Sequence, residues 1–267
     1  LGLGHAGNYN GNASYPNDAL YANDSWQATV MSYFFQTENT YVDADFAYVI
    51  TPQVADIIAA QNKYGVAAAR TGDDVYGPNG NTGTYLDGAF ALSNPISFTV
   101  YDTGGTDTFD FSSYSDNQMM DLREEAFSDL AGLDGNIGIA RGTFIEYGLT
   151  GSGDDTVIGN GVDNGLDSGA GDDTVSGGGG HDAVSGGAGL DDLNGNDGWD
   201  LVEGSAGDDS IDGGSGGDLI FGDDVTLADL TAIFPTWTPP PDAAATLADG
   251  DLLALWEDIL ADVYAIA

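Results

Sequence analysis

The most regular pattern along the chain has a period of nine. From Thr150 the sequence divides into eight nonapeptides: TGSGDDTVI, GNGVDNGLD, SGAGDDTVS, GGGGHDAVS, GGAGLDDLN, GNDGWDLVE, GSAGDDSID and GGSGGDLIF. The eighth position is Val157, Leu166, Val175, Val184, Leu193, Val202, Ile211 and Ile220, always aliphatic. The sixth is aspartate in every repeat but the second, which has Asn164. One apolar side chain in nine fits neither a helix nor an alternating strand. It predicts a stack of coils, in which each G-G-x-G-x-D half is a turn and each x-U-x half a short strand with one inward side chain. Elsewhere, "ISFTVYDTGGTDTFDFS" at 96–112 alternates apolar and polar residues around a Gly-Gly turn, which predicts a hairpin or sandwich corner. "PQVADIIAAQNKYG" at 52–65 predicts an amphipathic helix, with Val54, Ile57, Ile58 and Gln61 on one face and Gly65 as its stop. Near the end, Leu252, Trp256, Ile259 and Val263 recur at helical spacing, with Asp249 or Asp251 as N-cap. "PTWTPPPDAAA" before them reads as a linker. The final helix is expected either to cap the end of the coils or to serve as a secretion signal.

Charge changes the picture next. The chain carries 44 acidic and 4 basic residues, a net charge of −40. The basic residues are Lys63, Arg70, Arg123 and Arg141, so none follows residue 149. Nucleic acid is excluded as a partner, because phosphate binding needs Lys and Arg. An anionic membrane surface repels such a chain. No apolar run approaches the roughly 18 residues of a membrane span, so no membrane insertion is expected. Apolar residues make up 42% of the chain, which argues against global disorder. Without cysteine, disulfides and thiolate metal sites are ruled out. The N-terminus shows no basic region followed by an apolar stretch, so export would need a route other than a cleaved signal peptide. Metal cations are the natural counter-charge.

The repeat specifies which cation. Stacked turns bring each aspartate against carbonyls and carboxylates of a neighbouring coil, and Ca²⁺ takes six to eight such oxygens. The expected roll ligands are Gly151, Gly153, Asp155, Gly169, Gly171, Asp173, Gly178, Gly180, Asp182, Gly187, Gly189, Asp191, Gly198, Asp200, Gly207, Asp209, Gly216 and Asp218. Residues 150–221 hold fifteen Asp and one Glu around only eight inward aliphatics, so the tract is expected to unfold without calcium. The coil with Asn164 and Val162 is not expected to bind calcium, and His181 is expected to be a solvated turn residue. The loose G-x-G-x-x-G matches do not make a phosphate cradle, since no strand–helix context or basic residue accompanies them. Two acidic turns, "RTGDDVYG" at 70–77 and Asp102 to Asp107, are further cation candidates.

"RTGDDVYG", "DTGGTDTFDFSSYSDNQ", "FSDLAGLDGNIGIA" and "IEYGLTGSGDDTVIGN" resemble the C-terminal half of serralysins, secreted metzincin zinc proteases with an RTX calcium roll. The resemblance implies a calcium held by Arg70, Gly72, Asp74, Asp102, Gly104, Gly105, Asp107, Phe144 and Glu146, with Arg70 and Phe144 acting through their backbone. Asp74 stands where the family pattern has threonine. "LGLGHAGNYN" is similar to the tail of the metzincin motif H-E-x-x-H-x-x-G-x-x-H, and "VMSYFF" at 30–35 to the Met-turn. This implies His5 as third zinc ligand, Met31 as the floor under the metal, and Tyr33 as an auxiliary zinc ligand or transition-state hydrogen-bond donor. The other two histidines and the glutamate base would lie upstream, and the chain as written lacks them.

The fold class expected is therefore mainly β. A parallel β-roll of RTX nonapeptides (150–221) joins a β-sandwich-like, calcium-binding segment (67–149). These are preceded by the C-terminal remnant of a metzincin-like catalytic domain (1–66) and followed by a Pro-rich linker and helix (222–267). The function implied is the calcium-binding portion of a secreted, extracellular zinc metalloendopeptidase. Its cofactors are several Ca²⁺, with Zn²⁺ in the complete protein, and its partners are protein or peptide substrates and the type I secretion machinery. Asp262 followed by Val-Tyr-Ala-Ile-Ala is similar to the ending of type I substrates. The alternative is a non-catalytic extracellular RTX protein that assembles end to end.

Overall fold

The computed structural model describes residues 13–15, 17–41, 43–248 and 252–264. Gly2, His5 and the N-cap candidates Asp249 and Asp251 lie outside the described residues. The chain forms two compact units. One comprises residues 1–107 and 118–144, and the other residues 108–117 and 145–267.

In the first unit, Ile96–Val100 lies between Tyr48–Val49 and Leu133–Ile139, parallel to both. Phe127–Leu130 and Met119–Asp121 continue the sheet in antiparallel fashion. The core is Phe34, Phe98, Val100, Met120, Leu122, Leu130, Ile137 and Ile139, all nearly inaccessible. Although apolar and polar residues alternate along "ISFTV", all five are buried. Thr99 is bonded there: its N donates to Thr51 Oγ1 at 2.7 Å, and its Oγ1 to Gln53 Oε1 at 3.3 Å. Burial of Thr99 is tolerable because its hydroxyl is satisfied, whereas the Ser97 hydroxyl is buried without a hydrogen-bond partner. Helix α1, Val54–Tyr64, covers this face; a methyl on Gly138 would lie 3.0 Å from Val54. Gly65 ends α1 at φ +85°, as its position after the periodic residues predicts. The expected hairpin at 96–112 does not form. Ile96–Val100 pairs within the first unit, whereas Thr108–Asp110 pairs with Tyr147–Leu149 in the second.

The second unit is the roll. Thr156–Ile158, Thr174–Gly179, Asp192–Gly198 and Ser210–Asp212 form one parallel sheet. Tyr147–Leu149, Gly165–Asp167, Ala183–Ala188, Leu201–Ala206 and Leu219–Phe221 form the other. Partners such as Val175 and Leu193 are two repeats apart, so each coil uses two nonapeptides, one strand per sheet. The eighth-position residues point inward. Val157, Leu166, Val175, Val184, Leu193 and Val202 are buried, while Ile220 in the last coil is 47% exposed.

The seventh position carries a second pattern. In the first sheet it is Thr156, Thr174, Asp192 and Ser210; in the second it is Gly165, Ala183, Leu201 and Leu219. The second sheet is accordingly covered. Residues 225–260, expected to begin as a linker, contain helices α2 (Leu227–Ile233), α3 (Ala243–Ala248) and α4 (Leu252–Ile259). Leu230, Phe234, Trp237, Leu252, Leu253, Leu255, Trp256, Ile259 and Leu260 form one buried cluster with Ala183 and Leu201. Prolines 239–241 occupy only the connection between α2 and α3. The tail packs on a sheet face.

Candidate metal sites

In the roll, the sixth-position carboxylates stack in two columns. Asp155 N donates to Asp173 Oδ1 (2.7 Å), Asp173 N to Asp191 Oδ1 (2.9 Å) and Asp191 N to Asp209 Oδ1 (3.1 Å). On the other edge, Asn164 N donates to Asp182 Oδ1 (2.8 Å), Asp182 N to Asp200 Oδ1 (2.9 Å) and Asp200 N to Asp218 Oδ1 (3.2 Å). One oxygen of each carboxylate thus serves the coil stack. The other is left over: Oδ2 of Asp173, Asp182, Asp191, Asp200 and Asp209 is buried with no hydrogen-bond partner. A buried anionic oxygen without a donor is strongly disfavoured. Burial, together with the neighbouring coil's carboxylate, pushes Asp182 up to about 8 and Asp173 and Asp200 to about 6; Asp191 is raised for the same reasons. Such oxygens, three in one column and two in the other, suit hard cations with oxygen ligands.

Glycine allows this packing. At Gly189, φ is +152° and a methyl would sit 1.7 Å from the Gly171 carbonyl oxygen. The second-position carbonyls of Gly151 and Gly169 accept the N–H of Ala170 and Ala188, so they belong to the coil-to-coil ladder. Asn164 behaves differently from the aspartates. Its Oδ1 accepts Asn160 N, and its Nδ2 donates to the carbonyls of Ile145 and Glu146, so no unbonded anionic oxygen arises there. His181, expected to be solvated, is half-buried, and its Nδ1 accepts the Trp199 N–H at 2.9 Å. Its signal in sequence is register: His181 and Trp199 share the fifth position two repeats apart.

A separate cluster lies in the first unit. Asp74, Asp102 and Asp107 each offer a carboxylate oxygen, all within 4.8 Å of one another. Asp102 and Asp107 are buried and Asp74 half-buried. The turns around them bring in Arg70, Gly72, Gly104 and Gly105. At Gly105 (φ +130°) a methyl would lie 2.3 Å from the Gly72 carbonyl oxygen, so only glycine lets the two turns meet. Asp74 N donates to Asp107 Oδ1 at 2.9 Å, and Arg70 Nη1 lies 3.8 Å from Asp74 Oδ2. Desolvation raises Asp74 and the Arg70 charge opposes the shift. Sequence reasoning missed two supports. Tyr76 Oη donates to Asp102 Oδ2 at 2.6 Å, and Asp102 N donates to Thr143 Oγ1 at 3.0 Å. Tyr76 was legible as an aromatic two residues beyond Asp74; Thr143 is too remote in sequence to be found by spacing. Phe144 is exposed, and Glu146 belongs to the other unit, where its carbonyl accepts Gly165 N.

In "VMSYFF", Phe34 is buried while Tyr33 and Phe35 are exposed. Asp56 in the first turn of α1 fastens the segment by accepting Thr29 Oγ1 (2.5 Å) and Val30 N (2.9 Å). Met31 lines an open apolar cavity of about 560 Å³ with Pro52, Ile57, Tyr64 and Tyr101. His5 lies outside the described residues. No helix among the described residues is long and apolar enough to cross a membrane.

Comparison with known proteins agrees with this geometry. The chain is 48% identical over 162 residues to "Serralysin C" of Dickeya chrysanthemi, covering 59% of this chain and 33% of that protein. It is 45% identical over 173 residues to "Metalloprotease AprA" of Pseudomonas entomophila (62% and 36%). It is 44% identical over 169 residues to "Serralysin" of Proteus mirabilis (62% and 34%). The matched region thus spans about a third of these curated relatives. The family described as "Peptidase M10 serralysin C terminal" matches residues 66–224, which takes in the acidic cluster and the whole roll. With well over half of its length matched, the chain belongs to the serralysin C-terminal family.

Proposed function

We propose that this chain is the calcium-binding C-terminal portion of a secreted serralysin-type zinc metalloendopeptidase. The observation that carries the calcium reading is the set of five buried, unbonded Oδ2 atoms, three in one carboxylate column of the roll and two in the other. Calcium supplies the positive charge those oxygens lack. Asp173, Asp182, Asp191, Asp200 and Asp209 would hold it in the roll, and Asp74, Asp102 and Asp107 in the first unit. In the complete protein, zinc supplies an activated water for peptide-bond hydrolysis. This chain's share of that centre is His5 as ligand, Tyr33 as auxiliary hydroxyl and Met31 beneath. Support for the zinc part comes from the motif resemblance and the metalloprotease names of the relatives. Net charge and the calcium requirement fit export in an unfolded state at low cytosolic calcium, followed by folding outside. Segments 1–66, 67–149, 150–221 and 222–267 would then be catalytic remnant, calcium-binding connector, roll and tail.

Two measurements test this. Calcium titration of the chelated chain should produce parallel-strand circular dichroism; an unchanged signal overturns the calcium reading. The complete protein should cleave casein and stop when a zinc-selective chelator is added. Calcium-dependent polymers with no cleavage would favour the structural RTX alternative.

A further inference from the structure

The tail beyond the family match shares one stretch of backbone with a carboxylate column. In the sixth nonapeptide, Trp199, Leu201 and Glu203 face the tail. The Trp199 carbonyl accepts the Trp256 indole N–H at 2.7 Å, Leu201 is fully buried in the tail cluster, and Glu203 Oε2 accepts Val225 N at 2.9 Å. Interleaved with them, Asp200 contributes Oδ1 to the coil ladder and an unbonded Oδ2, and Val202 fills the roll core. The same stretch, residues 199–203, therefore reads both the metal column and the helices. The second sheet also depends on its cover. Its seventh-position residues are apolar where those of the first sheet are polar, and Ala183 and Leu201 would face water without the tail. Leu253 reaches the coil backbone, for a methyl on Gly165 would lie 3.2 Å from its Cβ.

We propose that residues 225–248 and 252–260 form a clamp whose docking and the calcium filling of the roll are one cooperative transition. The proposal rests on the calcium reading above. Coupling between two sites is reciprocal. If ordered Asp200 turns favour docking of Trp256, then docking raises calcium affinity by the same factor. Released calcium would free the whole apolar face of α4 at once, and bound calcium would bury it at once.

The test is a calcium titration of the full chain, following strand circular dichroism and, in parallel, protection of the 234–248 stretch from a protease. In the wild type both signals should change at one calcium concentration. Leu253→Asp puts a charge against Gly165 and should raise the half-point of the strand signal about threefold or more, since destabilising the docked state is offset only by more ligand. Leu253→Ala should move it in the same direction by less, and carries the test if the aspartate variant does not fold. An undocked tail with the wild-type half-point for the strand signal overturns the clamp. So does tail protection that survives chelation. A wild type with no calcium response overturns the calcium reading itself, and the clamp with it.

Discussion

Asp182→Asn separates the metal reading from ordinary packing, because it should act with opposite sign in the two metal states. Asp182 is fully buried; its Oδ1 accepts Asn164 N at 2.8 Å and its Oδ2 has no partner. The asparagine is isosteric and keeps the carbonyl acceptor, so the coil ladder survives. Without calcium, the fold holds this carboxyl at about 8 against an ordinary 3.8. Folding at pH 7 then forces proton uptake, at a cost of up to about 4 kcal/mol at roughly 1.4 kcal/mol per pH unit. The amide removes that cost, and Asn164 shows that the fold accepts asparagine at the sixth position. With calcium the sign reverses. A site filled at a hundred times its Kd contributes about 2.7 kcal/mol, which is lost if the amide empties it. The assay is urea or thermal unfolding in excess calcium and in chelator, with sucrose added if the metal-free chain is unfolded. The variant should be less stable than wild type in calcium and more stable in chelator. The same sign in both would refute a cation at Oδ2.

The raised carboxyls set a pH dependence for the metal-free chain. Folded-state values near 6 and 8 exceed those of the unfolded chain, so the fold favours the protonated forms; metal-free stability should rise as pH falls from about 8 towards 4, measured by circular dichroism in chelator. Gly189→Ala should abolish calcium-induced strand formation, because its methyl meets the Gly171 carbonyl at 1.7 Å, whereas Gly161→Ala, with nothing within 4 Å, should change the thermal midpoint little. Tyr76→Phe removes the hydrogen bond to buried Asp102 and should cost the first unit about 1–3 kcal/mol in urea unfolding. Trp256→Ala should cost about 3–5 kcal/mol in calcium, as expected for a buried indole, with a further loss from the orphaned Trp199 carbonyl.

The sequence by itself determined the roll. A repeat of nine with one aliphatic and one aspartate repeats its geometry wherever it repeats its residues, so the turn-and-strand unit, the inward positions and the acidic turns follow from local pattern. Helix α1 and its stop at Gly65 were legible for the same reason: apolar period and glycine are local properties. Only the tertiary structure decided the rest. "ISFTV" has the alternation of a half-exposed strand, yet all five residues are buried, with the Thr99 hydroxyl bonded to Gln53. The Gly-Gly turn at 104–105 has the local form of a hairpin, but its flanking strands find better partners far along the chain, because strand pairing is chosen by the whole sheet. Tyr76 and Thr143 joined the Asp102 cluster through loops whose lengths carry no sequence code. The tail was the largest surprise. Its prolines predicted a linker, and the alternation of Gly165, Ala183, Leu201 and Leu219 against Thr156, Thr174, Asp192 and Ser210 already marked one sheet as covered. That pattern becomes readable only once two repeats are known to make one coil, since the coil determines which residues share a face.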